Sequence, residues 1–361
     1  MHLEIHDDIR RAATLPAEFY RSPEMFAACR ERIFARSWQM IVGAEDYVRV
    51  PGDALPFVFM EGFLEEPLVL VRDEHDQVRC LSNVCTHRGN LLVWHPQRLQ
   101  RVIACNYHGR RFALDGRFLH MPATEGMENF PCESDNLRQL PLGRWRQFLF
   151  TSLDPLMPFE EWIAGMERKV WFLPIEEFRF DPSRSRDYLV RAHWALYCDN
   201  YLEGFHIPFV HRSLAATLDC EAYRTELLPW GSCQVGIARG GEEVFELPPE
   251  HEDAGQPVAA YYFWLFPNIM FNFYPWGLSL NIVRPLGVGL TRVSFRSYVW
   301  RADKLSVGAG AELDRVERED EAVVEAVQRG IQSRFYTAGR FSPSQEQGVH
   351  HFHRLLAKVL G

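Results

Sequence analysis

Two short runs of residues have the types and spacing to do redox chemistry. They read Cys85-Thr86-His87-Arg88-Gly89 and Cys105-Asn106-Tyr107-His108-Gly109, with 17 residues between His87 and Cys105. Each run can place one thiolate and one imidazole at the tip of a tight loop. Two such loops facing each other supply two sulfurs to one iron and two nitrogens to another. That is the Cys₂His₂ ligation of a Rieske [2Fe–2S] centre, where neutral imidazole replaces thiolate and raises the reduction potential. A Cys₂His₂ zinc site uses the same ligand types, but groups Cys-x-x-Cys with His-x-x-x-His rather than alternating Cys and His twice. Four unrelated core residues are a further alternative, which the doubled spacing makes hard to sustain.

A second constellation follows in Asp199-Asn200-Tyr201-Leu202-Glu203-Gly204-Phe205-His206-Ile207-Pro208-Phe209-Val210-His211. Trp194, Cys198, Tyr201, Leu202 and Phe205 form the apolar face of an expected helix over Trp194–His206. Glu203 and His206, three apart, share a face of that helix. Pro208 is expected to break the helix after His206 and so return His211 toward the same point. Two histidines so placed are two-thirds of a 2-His-1-carboxylate triad, whose open positions suit Fe(II) and O₂. Taken alone, one capping and one surface histidine would explain the pattern as well. A third ligand has to come from the acidic run Val316–Val324. On an expected helix, Val316, Val323, Val324, Val327 and Ile331 make one stripe. Asp320 falls at its centre, Glu319 lies toward one border, and Glu317 and Glu321 point to the edge or away. An unpaired carboxylate on a buried stripe is costly, and iron would be its partner. A solvated charge run accounts for Glu317, Arg318 and Glu321 but not for Asp320.

On these motifs the chain resembles the Rieske non-heme iron oxygenases, the ring-hydroxylating oxygenase α subunits. Cys-x-His-Arg-Gly and Cys-x-Tyr-His-Gly cover both loops. The family's acid three residues before a His-x₄-His pair falls on Glu203, His206 and His211. Its carboxylate ligand precedes a Glu- and Gln-bearing segment resembling Glu325-Ala326-Val327-Gln328, which favours Asp320. The resemblance implies one [2Fe–2S] cluster on Cys85, His87, Cys105 and His108. It also implies one Fe(II) on His206, His211 and Asp320, with Asn200 near that iron and O₂ as co-substrate. It further implies a ring of subunits, usually a homotrimer, in which the cluster of one chain serves the iron of its neighbour. Glu203 would then bridge His206 and the neighbour's cluster ligand. Arg110 departs from the pattern, since many relatives carry Trp after His-Gly.

The elements that must position these groups are legible in outline. With 361 residues there is room for about two domains. Ser22-Pro23 opens a first helix with Phe26, Cys29, Ile33 and Phe34 on its apolar face. Short β runs follow at Phe57–Met60, Pro67–Val71, Val78–Leu81, Arg101–Ala104 and Phe148–Thr151, with a hairpin at Asp115-Gly116. Strands recur from about Tyr223 to Arg301, then helices at about Ala311–Arg334 and Ser344–Leu360. The expected organisation is α+β: a helical segment 1–37 packing on the last domain, a small all-β cluster domain 38–153, and a catalytic domain 154–361 with helices over an antiparallel sheet. The resemblance implies an SRPBCC/START-like shape for that last domain.

Composition excludes several classes. The net charge of −9, with no clustered basic face, argues against nucleic acid. The acidic start is neither a secretory nor a transit signal, and Pro and Asn interrupt the apolar stretch Tyr261–Val283, so no membrane span and a cytoplasmic location are expected. Beyond the two cluster cysteines, Cys29, Cys80, Cys132, Cys198, Cys220 and Cys233 read as small buried apolar side chains. No Gly-x-Gly-x-x-Gly follows a strand and no second iron–sulfur motif is present. NAD(P)H oxidation is therefore expected on a partner reductase, acting directly or through a ferredoxin.

The substrate is the least legible part. Tyr261–Asn268 and Phe271–Gly277 form a dense aromatic run, which alternate core-facing residues would explain. It could also wall in a flat ring or box a quaternary ammonium group by cation–π attraction. The Asn-Tyr-Leu-Glu and Asn-Phe-Tyr-Pro-Trp-Gly segments resemble the α-only branch near choline and carnitine monooxygenases. The expected function is a terminal oxygenase that hydroxylates or oxidatively demethylates a small organic substrate. Aromatic-ring cis-dihydroxylation is the alternative oxygenase reading. A Rieske electron carrier with an inactive ligand-binding domain is the non-enzyme one.

Overall fold

The computed structural model describes residues 3–211, 214, 219, 222–240, 242–305 and 313–361. The chain divides into two compact units, one formed by Ala35–Leu156 and the other by Met1–Phe34 with Met157–Gly361.

The Ala35–Leu156 unit is built from small antiparallel sheets. One has five strands in the order Gln97–Arg98, Asp53–Phe59, Glu66–Arg72, Val78–Ser82 and Gln139–Leu140. A second, of three strands, carries Val102–Ala104, Arg111–Ala113 and Phe118–His120, and pairs Phe112 with Phe118 across the Asp115-Gly116 turn. Val69, Leu81, Ile103 and Phe112 share one buried cluster with Cys85 and Cys105. The two thiols therefore stand on the core itself. Among the other cysteines, Cys29, Cys80, Cys198 and Cys233 are buried as expected. Cys132 is exposed, because it lies outside any strand, just before the 3-10 turn Glu133–Asp135. Cys220 lies outside the described residues.

The second unit has a seven-stranded sheet in the order Arg179–Val190, Leu290–Val299, Gly277–Gly287, Ile269–Tyr274, Val258–Leu265, Gly231–Ile237 and Arg224–Leu228. Every neighbouring pair is antiparallel. Successive hairpins build it, and the first strand returns beside the last. The expected α+β class is present, with helices against an antiparallel sheet. The first long helix runs over Pro23–Arg32, capped by Ser22 Oγ, which accepts from Met25 N at 3.2 Å.

Three helices surround the prospective iron site. Trp194–Tyr201 contacts the strand Gly277–Gly287, the helix Leu313–Gly330 and the C-terminal helix Gln347–Leu360. Trp264 and Trp194 both pack on Phe352, with ring centroids 5.0 and 5.8 Å away. Gly348 is required at the closest approach: a Cβ there would lie 2.3 Å from the Leu202 carbonyl oxygen. Among the described residues no helix is long and apolar enough to cross a membrane.

Two expectations about the helices need correction. The helix carrying the Asp199–His211 motif ends at Tyr201 and does not reach His206. Glu203 and His206 therefore do not share a helix face. Pro208 does not break a helix either. It sits in the first turn of a separate short helix, Ile207–Val210, where a missing N–H costs nothing. The break falls earlier, at Leu202, which is wholly buried against Gly348. The stripe on Leu313–Gly330 is also narrower than its spacing implies. Val324 is buried, and Ile331 is buried just beyond the helix end, but Val327 is 42 % exposed.

Candidate metal centres

The two Cys-x-His loops are near copies of each other. Cys85 N donates to Asn90 O at 2.8 Å and Gly89 N to Cys85 O at 3.0 Å; Cys105 N donates to Arg110 O at 2.8 Å and Gly109 N to Cys105 O at 3.0 Å. Gly89 and Gly109 close these turns at φ +71° and +74°, the left-handed region that explains a glycine in each motif. Asn90 ties the loops together, reaching Cys105 Sγ at 3.6 Å and Asn106 Oδ1 at 2.9 Å. The His87 and His108 rings stand 4.8 Å apart.

The electrostatics differ between the two thiols. Burial pushes Cys85 up. Burial acts on Cys105 too, but the backbone N–H groups of Tyr107 and His108, with the Cys85 thiol and the Asn90 amide, hold it below the ordinary thiol value. Donors aimed at a sulfur favour thiolate, the form that binds metal. His108 Nδ1 is buried without a hydrogen-bond partner. Two adjacent thiols, two adjacent rings and an orphaned imidazole nitrogen fit a [2Fe–2S] group.

Arg110 is a buried cation directly behind the second loop. Its Nη2 meets Asp135 Oδ1 at 2.6 Å, and its guanidinium carbon lies 4.6 Å from the Phe118 ring centre. Its charge acts on both Cys85 and His87.

In the other unit, His206, His211 and Asp320 converge, with their potential ligand atoms all within 4.8 Å of one another. Asp320 Oδ1 lies 2.9 Å from His211 Nε2 and 3.4 Å from His206 Nε2. The opposite ring nitrogens are held from outside. His206 Nδ1 meets Glu203 Oε1 at 2.6 Å, and His211 Nδ1 meets Glu319 Oε2 at 2.8 Å. Glu203 is itself fixed in the turn by the backbone N–H groups of Phe205 and His206. Carboxylates on both Nδ1 atoms leave the two Nε2 lone pairs for a metal. Burial alone would lower His206, but Asp320 and Glu203 raise it to about 9. The same kind of contest raises His211, through Asp320 and Glu319. Burial works against the Asp320 carboxylate, yet the two imidazoles hold it below its usual range. A dication would take the place of those protons, so this donor set fits Fe(II).

The carboxylate helix Leu313–Gly330 is registered by a ladder of polar contacts. Tyr188 OH bonds Asp314, Tyr197 OH donates to Glu317 Oε2 at 2.7 Å, Arg191 N donates to Glu325 Oε1 at 3.0 Å, and His193 N donates to Gln328 Oε1 at 2.7 Å. Glu317 and Glu319 were read from the sequence only as less favoured candidates for the third ligand, without the contacts seen here. Glu317 is not a solvated member of the charge run, for burial pushes its carboxyl well above the usual range, with Asp320 adding to the effect. Adjacency to Asp320 was the only available signal for Glu319. Asp199 is another addition: Tyr20 OH donates to its Oδ2 and His353 Nε2 bonds its Oδ1, both at 2.8 Å.

A cavity opens at the three converging groups. Tyr201, Tyr223, Tyr262 and Tyr274 line it, and Asn200 and Glu317 border it. The aromatic run thus divides between a cavity lining and the core. Tyr262 and Tyr274 face this cavity, while Tyr261 stacks on Phe245, with ring centroids 5.4 Å apart.

Comparison with known proteins identifies the family. Residues 175–361 match the ring hydroxylating alpha subunit (catalytic domain) family, and residues 37–131 match the Rieske [2Fe-2S] domain. A chloroplastic choline monooxygenase of Arabidopsis thaliana is 30% identical over 96% of this chain and 83% of its own. The carnitine monooxygenase oxygenase subunit of Escherichia coli K12 is 28% identical over 97% of this chain and 94% of its own. A crystal structure of the quaternary ammonium Rieske monooxygenase CntA with an inhibitor superposes with a TM-score of 0.78 at 25% identity, covering 99% of this chain and 100% of that one. The chain belongs to the ring-hydroxylating α-subunit family of Rieske oxygenases. It is an oxidoreductase whose cofactors are a Rieske [2Fe–2S] cluster and a mononuclear iron, with O₂ as co-substrate.

Proposed function

We propose that this chain is a terminal oxygenase component that hydroxylates or oxidatively demethylates a small quaternary ammonium compound. The observation that carries the reading is the tyrosine-lined cavity opening at His206, His211 and Asp320. Aromatic faces attract a cation that cannot be hydrogen-bonded, and exclude water from it. The relatives named for choline and carnitine support the same substrate class.

In this reading Cys85, His87, Cys105 and His108 hold the cluster, and His206, His211 and Asp320 hold the iron. Together the two centres supply electrons and O₂ activation. The protein's own groups do the positioning. Glu203 and Glu319 keep a proton on each Nδ1 and so fix both imidazoles. Asn200 and the tyrosines border the substrate space. In a homotrimer, Glu203 would also reach His108 of the partner subunit. Electrons would come from an NAD(P)H-dependent reductase, directly or through a ferredoxin.

The test is a single turnover of the chemically reduced protein with O₂ over a substrate panel, followed by product analysis. A hydroxylated or demethylated ammonium product is expected. A cis-diol formed only from an aromatic compound would move the assignment to ring dioxygenation. Oxidation of the cluster with no product from any substrate would leave an electron carrier.

A further inference from the structure

The cavity contains a carboxyl group that the metal chemistry does not use. Three acids border it: Glu203, Asp320 and Glu317. Glu203 is committed to His206 and to two backbone N–H groups, and Asp320 to both imidazoles. Glu317 has only neutral donors, the Tyr197 hydroxyl at 2.7 Å and the Asn281 amide. It borders the same cavity as the rings of Tyr201, Tyr223, Tyr262 and Tyr274. Among the described residues, no Lys or Arg borders this space.

We propose that Glu317 is the counter-ion for the substrate's ammonium group, and that the preferred substrate is a trialkylammonium cation carrying no carboxylate. The inference rests on the quaternary ammonium reading above and narrows it. A carboxylate whose donors are all neutral, with the Asp320 carboxylate nearby, is costly until a cation arrives, and a cation between aromatic faces gains most when desolvated beside an anion. A zwitterion would bring its own carboxylate toward Glu317 and Asp320, in a space that no described Lys or Arg borders.

Binding to the protein with both centres loaded tests this, using three probes: choline, its uncharged carbon isostere 3,3-dimethylbutan-1-ol, and carnitine. Glu317→Gln keeps the size of the side chain and an acceptor for Tyr197. Wild type should bind choline more tightly than the isostere, and at least about tenfold more tightly than carnitine. Glu317→Gln should weaken choline about tenfold or more while leaving the isostere within about threefold, which also shows that the cavity is intact. Choline binding unchanged in Glu317→Gln would overturn the counter-ion role while leaving the quaternary ammonium reading standing. Carnitine binding as tightly as choline would overturn the exclusion of carboxylates. Equal binding of choline and the isostere by wild type would defeat the quaternary ammonium reading itself, and this inference with it.

Discussion

Iron uptake by the mononuclear site should be coupled to proton release, and the size of the coupling follows from His206. In the iron-free chain Asp320 and Glu203 bracket this ring and raise it to about 9. At pH 7 it carries a proton that must leave before Nε2 can bind a metal. Each pH unit below about 9 should therefore weaken apparent iron affinity about tenfold, so that affinity at pH 7 is about 100-fold below its plateau, or about 2.7 kcal/mol. The assay is competition for Fe(II) against a chelator calibrated at each pH, with proton release followed in weak buffer. At least about one proton per iron is expected at pH 7.5. The sign for folding is opposite in the iron-free protein. A raised histidine stabilises fully below its unfolded value near 6.5, and that contribution, about 3 kcal/mol, is lost as pH rises through about 9. Iron affinity that stays flat from pH 7 to 9, with no proton released, would refute the reasoning.

Glu203→Gln should retain both metal centres while product formation per O₂ consumed collapses; tight coupling in this variant would remove the bridging role. Gly348→Ala forces a methyl to within 2.3 Å of the Leu202 carbonyl oxygen, so the C-terminal helix must shift beside the iron-site turn. About 1–3 kcal/mol of stability should be lost, read as a lower Tm, together with weaker iron retention. Arg110→Gln removes the buried cation behind the second cluster loop and should lower the cluster's midpoint potential by tens of millivolts in a redox titration, where 59 mV corresponds to about tenfold for one electron. An unchanged potential would mean that Asp135 screens the guanidinium completely.

The cluster loops were legible because their chemistry is local: five residues carry the two ligands, the turn and the glycine with positive φ. His206 and His211 were readable as ligands only through the family resemblance, while Asp320 had a signal of its own, an acid at the centre of an expected apolar stripe. The path by which they converge was not readable. The helix ends at Tyr201, and the next residue, Leu202, packs closely on Gly348, 146 positions further along the chain. Glu317 and Glu319 were hidden by the same non-locality. On the helix they belong to one charge run, and only Tyr197 and His211 on a different segment separate their roles. The aromatic strands gave no sign of which face met the cavity, since both faces are apolar.

The shared hydrogen bonds of Asp320 have a further consequence, for metal selectivity. Because His206 and His211 both point at one Asp320 oxygen, the three donors stand where a single dication would meet all of them. Two imidazoles and a carboxylate bind copper or zinc more strongly than ferrous iron by the ordinary order of divalent affinities. The identity of the site's metal is then set by what the cell offers during loading, and traces of zinc during purification would yield protein with an intact cluster and a silent second centre.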